Sequence, residues 1–148
     1  MVQKTFSPAW KSSSQPRKQR KYRYNAPLHI KQKLVHVHLS SALRQKYGTR
    51  HVQVRKNDKV RVLRGQYKMR EGKVERVDLK RERIYITGME VIKKDGSKVM
   101  VPLNPSNLMV LDLDLGDKKR KEKLESHKKV SAGSAKVEQP TKTKRSTQ

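Results

Sequence analysis

VRVLRGQYKMREGKV, residues 60–74, carries apolar residues at alternate positions on both sides of a polar loop marked by Gly65 and Gly72. A period of two places Val60 and Val62 on one face of a strand, and Val74 begins another, so the stretch reads as a β-hairpin. The glycines remove side chains where the backbone turns or meets a partner closely. Arg64, Gln66, Tyr67, Lys68 and Arg70 then offer hydrogen-bond donors and one aromatic face from a rigid platform. The same period extends outward through Val52 and Val54, Ile84 and Ile86, Val99 and Val101, and Leu108 and Val110, with Val77 in a looser pattern. Turn signals at Asn57-Asp58, Thr87-Gly88, Asp95-Gly96 and Pro102 to Pro105 separate these runs. Many short strands predict a mainly β domain over residues 51–115, rolled into a small closed or nearly closed barrel, because a flat sheet of that size would expose its edges and one face.

The rest of the chain is too charged to join a large core. Of 148 residues, 38 are Lys or Arg and 13 are Asp or Glu; the formal net charge is +25 and 32% of residues are apolar. Such a chain buries one small core, and the remainder is solvated or ordered by a polyanionic partner. The charge is uneven: residues 1–64 hold 17 basic residues and one acid, Asp58, residues 65–116 hold 10 and 8, and residues 117–148 hold 11 and 4. A block with so few acids points to bound polyphosphate as its counterion. Cysteine is absent, which excludes disulfides and Cys-type zinc sites and agrees with a reducing compartment. No run approaches the ~18 apolar residues of a spanning helix, and the opening MVQKTFSPAW lacks the apolar stretch of a secretory signal; a soluble protein without a membrane span is expected.

Residues 1–24 read as a basic extended arm. Arg17, Lys18, Arg20, Lys21 and Arg23 would neutralise phosphates, while Tyr22 and Tyr24 offer faces to unpaired bases. The same residues suit a nuclear import signal equally well. Residues 25–50 predict short helices packed on RNA and on the barrel. Asn25 caps the first, with Pro27 in its first turn and Leu34 near its end. Ser40 or Ser41 caps the second, which Gly48 stops. His29, Lys31, Lys33, Arg44, Lys46 and Arg50 are their candidate RNA contacts, joined by Arg55, Lys56 and Lys73 beside the hairpin. Residues 116–130 predict a C-terminal helix with a polar circumference, lying on RNA or in solvent, with Lys118–Glu122 and Lys121–Glu125 at pairing distance. Residues 131–148 read as a flexible tail from their Ser, Lys and Thr bias.

Catalysis finds no support. There is no Gly-rich phosphate cradle, nucleophile elbow or isolated acid pair, and Glu71, Glu75, Asp78 and Glu82 sit among Lys73, Arg76, Lys80 and Arg81 as solvated strand ends. His36 and His38 share a strand face and could join His29 or His51 on a metal, but without a neighbouring carboxylate or cysteine, polar or phosphate contact is the stronger reading. No enzyme activity, metal or cofactor is expected.

RKNDKVRVLRGQYKMREGKVERV, residues 55–77, resembles the KOW motif, in which an acidic turn, alternating valines, a glycine loop and a second glycine followed by Lys-Val form the first hairpin of an SH3-like barrel. With NAPLHIKQKL and LSSALRQKYGTR upstream and LNPSNLMVLDLDL downstream, the chain resembles the eukaryotic and archaeal branch of a large-subunit ribosomal KOW family. That family is conventionally numbered twenty-four in bacteria and twenty-six in eukaryotes. The resemblance covers about residues 16–125 and carries over Arg55, Lys56, Asp58, Val60, Val62, Arg64, Gly65, Tyr67, Lys68, Gly72, Lys73 and Val74. It implies an SH3-like fold and a structural, rRNA-binding constituent of the large ribosomal subunit that supports assembly and translation near the peptide exit tunnel. Its partners would be large-subunit rRNA, neighbouring ribosomal proteins and factors at the exit tunnel, and it would not form a homo-oligomer. Its place would be the cytoplasmic ribosome, with assembly in the nucleus or nucleolus of a eukaryote. Two positions depart from the family pattern: Met69 stands where most members have glycine, and Asn57 where many have Gly or Asp. A transcription-elongation KOW module and a free nucleic-acid-binding protein are the competing readings.

Overall fold

The protein is seen in a computed structural model that describes residues 6–9 and 12–134, the stretch 127–134 by its backbone alone. Residues 16–24, expected as an extended arm, form helix α1 (Pro16–Asn25), which opens on proline and contains no buried residue. Arg, Lys and Gln are good helix formers, and proline at the first position forfeits no hydrogen bond. Asn25 therefore ends a helix rather than capping one. The backbone turns extended at Ala26 and Pro27, and α2 (Leu28–Leu34) follows with no side-chain cap.

Strand β1 (His36–Leu39) leads into α3 (Ser41–Tyr47), where the Ser40 hydroxyl accepts a hydrogen bond from the Leu43 amide (3.4 Å) and Gly48 takes the left-handed stop at φ 67°. The strands β2 (His51–Gln53), β3 (Lys59–Val62), β4 (Glu71–Asp78) and β5 (Arg83–Ile86) come next. A separate hairpin, β6 (Glu90–Ile92) and β7 (Lys98–Met100), precedes a 3-10 turn (Pro105–Asn107), β8 (Leu108–Asp112) and α4 (Lys118–Ser134).

The described chain is mixed, four helices beside a mainly β domain, and the large sheet of that domain is open. Six strands run in the order β2-β1-β8-β3-β4-β5, and the two ends do not pair. A closed barrel is thus corrected, and β1 supplies the reason. It lies parallel to β8, with Leu39 opposite Val110, and the Ser40 amide donates to the Val110 carbonyl at 3.0 Å. The free edge of β8 is covered by this strand from the basic block instead of by closure onto β5. At the other end, a single bridge between Ile84 and Leu103 protects β5. The alternation around Val99 belongs to the separate hairpin, where Val91, Ile92 and Val99 are exposed.

One core spans the open sheet. Val37 and Leu39 on β1, Val60 and Val62 on β3, Val74 on β4, Ile84 and Ile86 on β5, and Leu108 and Val110 on β8 are all buried in it. Each such side chain contributes about 1.5–3 kcal/mol on leaving water. Gly72 is set by this packing: a Cβ there would lie 2.6 Å from Ile86 Cγ2 and 2.7 Å from the Thr87 carbonyl, so the close partner of this glycine is β5.

A buried polar centre ties the C-terminal helix down. Asp58, fully buried, accepts from the backbone amides of Arg55 (2.8 Å) and Asp114 (3.0 Å), while Arg120 clasps both of its carboxylate oxygens at 2.7 Å. Arg120 also donates to the carbonyls of Asp114 (2.8 Å) and Gln53 (3.1 Å). Leu124, one helical turn further on, packs into the core. The helix expected to be polar all round is therefore docked by Arg120 and Leu124. From residue 135 on, the expected tail lies outside the described residues.

Arg120→Ala should destabilise the folded chain by about 3–5 kcal/mol in denaturant unfolding, because it leaves Asp58 charged, buried and unpaired. The double variant Asp58→Ala/Arg120→Ala should cost less than the sum of the two single changes. Additive losses would show that the pair does not act as a unit.

Candidate nucleic-acid interface

The loop between β3 and β4 is rigid for reasons visible in its backbone. The Met69 amide donates to the Val62 carbonyl (2.8 Å) and the Val62 amide to the Arg70 carbonyl (2.9 Å), which carries the hairpin ladder into the loop. Shorter turns close inside it, from the Lys68 amide to Gly65 (3.0 Å) and from the Arg70 amide to Tyr67 (3.1 Å). Gly65 sits at φ 96°, a conformation open chiefly to glycine. The result is a fixed knuckle with Arg64, Gln66, Lys68 and Arg70 exposed on it.

Tyr67 does not present the aromatic face expected of it. Only 8% exposed, it turns inward and its hydroxyl donates to the Glu90 carbonyl at 3.0 Å, bracing the loop against the β6–β7 hairpin. The Arg70 guanidinium packs over its ring at 5.4 Å. Met69 takes a left-handed φ of 68° and remains exposed, so this chain holds a bulky residue in a glycine-like conformation at its point of departure from the KOW pattern.

On α1, Arg17, Lys18, Arg20, Lys21 and Arg23 are exposed. Arg23 pairs with the buried carboxylate of Glu82 in the β4–β5 turn, which ties the helix to the domain. Tyr22 leans on Phe6, ring centres 5.0 Å apart, while Tyr24 stands free in solvent. His29 and Lys33 on α2 are exposed. Lys31 is buried and donates to the Lys80 carbonyl at 3.2 Å; its role is to hold α2 on the β4–β5 turn, not to face a partner.

Further along, Arg44 Nε donates to the Leu39 carbonyl at 2.7 Å, Lys46 lies over the Tyr47 ring, and Arg50 is exposed. Arg55 pairs with Asp117, whose carboxyl is held below its ordinary range first by that guanidinium and then by the Lys119 amide. Lys56 and Lys73 are exposed. Glu71 takes up two neighbouring strand cations, accepting from Arg61 Nε at 2.9 Å and pairing with Lys59 at 3.2 Å. These bonds, Arg61 first, hold its carboxyl low.

The fold thus gathers the sequence candidates into a loop knuckle, a helical arm and a group around Arg44, Arg50 and Arg55. The last group lies in a cleft with His36 and His51, for which the sequence favoured polar or phosphate contact, and with Lys119 and Lys123 of α4, which it did not single out as RNA contacts. Spacing gave no sign of this assembly, because α4 reaches the cleft through a long-range ion pair. Among the described residues, no group of three or more His, Cys or carboxylate side chains could hold a metal, and no helix is long and apolar enough to cross a membrane.

A family model that describes the eukaryotic L26 and archaeal L24 ribosomal proteins matches residues 13–127. The chain is also similar to the "Large ribosomal subunit protein uL24" of Methanospirillum hungatei JF-1, with 50% identity over 112 residues, covering 76% of this chain and 93% of that protein.

At Met69 the left-handed backbone costs a non-glycine residue about 1 kcal/mol. Met69→Val should lower stability by a further increment of about that size, since β-branching worsens the clash, whereas Met69→Gly should leave stability equal or higher. Equal melting temperatures for the valine and glycine variants would contradict the strained conformation.

Proposed function

Because this chain belongs to the family of eukaryotic L26 and archaeal L24 ribosomal proteins, we propose that it is a structural constituent of the large ribosomal subunit that binds rRNA through phosphate backbone and shape. The family is one of ribosomal structural proteins and not of enzymes. The observation that carries the binding mode is the loop knuckle: four exposed polar and cationic residues, Arg64, Gln66, Lys68 and Arg70, on a hydrogen-bonded platform. An A-form helix hides its base edges in a deep major groove, so fixed donors on a rigid support meet its phosphates and 2′-hydroxyls instead.

The functional parts keep the bounds of the sequence reading. The arm over residues 1–24 contributes the basic surface of α1, and residues 25–50 supply α2, α3 and a strand of the sheet. Residues 51–115 form an opened SH3-like unit: β3, β4 and β5, the bridge at Leu103, a 3-10 turn, and the return of β8 beside β3 support that assignment. RNA contacts are assigned to Arg17, Lys18, Arg20, Lys21, His29, Lys33, Lys46, Arg50, Lys56, Arg64, Gln66, Lys68 and Lys73, all exposed. Neighbouring ribosomal proteins and factors at the peptide exit tunnel complete its partners, with the chain present as a single copy and assembled in the nucleolus where there is one. The family match extends well beyond the KOW segment on both sides, which favours this reading over an elongation module.

Sedimentation of a lysate at low and high salt should find the chain in free large subunits, monosomes and polysomes; recovery only at the top of the gradient would refute the assignment. Arg64→Ala/Lys68→Ala should reduce incorporation into large subunits several-fold while the chain stays folded, and unchanged incorporation would mean that the knuckle faces solvent. Removing residues 1–25 should flatten the salt dependence of RNA binding by about 0.7–0.9 for each phosphate that the arm neutralises.

A further inference from the structure

A cleft of about 870 Å³ opens between α4 and the β1–β2 edge. Its walls contain Arg50, Lys119 and Lys123 together with His36 and His51, and no Asp or Glu. Arg50, Lys119 and Lys123 make no ion pair among the described residues. Among the described residues, two buried polar atoms of lining residues have no hydrogen-bond partner, Nε of Arg120 and the hydroxyl of Thr49, and both are sealed from solvent.

We propose that this cleft is a second RNA seat, which takes one phosphate-bearing strand between α4 and the β1–β2 edge and binds it more tightly as pH falls. The proposal rests on the chain being an rRNA-binding protein and adds a site separate from the β3–β4 knuckle. A phosphodiester offers acceptors only, which suits the arginine, lysine and imidazole donors among the lining residues.

The pH dependence follows from His36. Its Nδ1 donates to the Lys33 carbonyl at 2.6 Å, which leaves Nε2 as the nitrogen that gains or loses a proton. The groups around it are cationic or neutral: His38 from β1, His51 from β2 with its ring centre 5.3 Å away, Arg44 from α3, and Lys119 and Lys123 from α4. Arg55 and Arg120, also in the walls, have their charges met by Asp117 and Asp58. Burial first, then the charges of His51 and Lys123, lower the His36 pKa below its ordinary value, against the Lys33 carbonyl, which raises it. A phosphate in the cleft would favour the protonated ring, so binding takes up a proton and affinity rises with acidity.

The test is fluorescence anisotropy of a short labelled oligouridine with the full chain, at fixed ionic strength between about pH 6 and about pH 8. Wild type should bind several-fold more tightly at the lower pH, and His36→Gln/His51→Gln should abolish most of that change. Lys119→Ala/Lys123→Ala, both exposed residues, should weaken binding at either pH and reduce the salt slope by about 0.7 for each phosphate no longer neutralised. Lys93→Ala/Lys94→Ala removes equal charge from the β6–β7 turn and should do neither. An unaltered pH profile in the histidine variant, or lysine variants that match the β6–β7 control, would overturn the cleft assignment. Preference for an oligoglutamate peptide over the RNA would overturn it in favour of an acidic protein segment. In those cases retained binding of wild type to large-subunit rRNA, weakened by Arg64→Ala/Lys68→Ala, leaves the ribosomal reading standing, whereas loss of that binding in wild type would remove both.

Discussion

The carboxylate of Asp58 is the point on which distant parts of this chain converge. It is the single acid among the first 64 residues, and it is fully buried. Its two oxygens gather the Arg55 amide before β3, the Asp114 amide after β8 and the guanidinium of Arg120 on α4. A charge removed from water costs several kcal/mol unless every acceptor site is filled, so the three segments are held by one requirement. The docking of α4 builds one wall of the basic cleft, and the Asn57-Asp58 turn sets the start of β3. The geometry of the candidate RNA surfaces thus depends on a residue that touches none of the partner.

The same physics explains how a chain with so few apolar residues keeps a defined shape. The core is narrow, made mostly of valine and leucine side chains from the open sheet and the segments packed on it, and the basic block contributes β1 to it. Val35, Val37 and Leu39 therefore anchor the region whose charge would otherwise drive it apart. Outside the core, individual polar contacts fasten the helices: Arg23 to Glu82 for α1, Lys31 to the Lys80 carbonyl for α2, and Arg120 to Asp58 for α4. Each uses one cation internally and leaves its neighbours exposed for phosphate. Internal fastening and external binding draw on the same residue types, and an acceptor of the protein within reach is what separates them.

Parts of this were legible in the sequence because they depend on near neighbours. Period-two alternation located β3, β4, β5 and β8, while Ser40 and Gly48 marked the limits of α3. The exposed cations of the knuckle follow from the hairpin reading. The roles of Tyr67 and Lys31 did not, since their partners, the carbonyls of Glu90 and Lys80, lie far along the chain. Gly72 was legible as a position of close approach, but only the fold identifies Ile86 and Thr87 as the groups that approach it.

By itself the sequence determined the charge, the β hairpins, the local caps and, through the spacing of its glycines and valines, the family resemblance. Tertiary structure decided that the sheet stays open with β1 along β8, that Arg120 is buried against Asp58, and that histidines from β1 and β2 meet lysines of α4 across one cleft. The physical reason is the range of the interactions. Alternation and capping act over a few residues and leave a periodic trace, whereas an arginine meets a buried carboxylate 62 positions away without any local pattern to announce it.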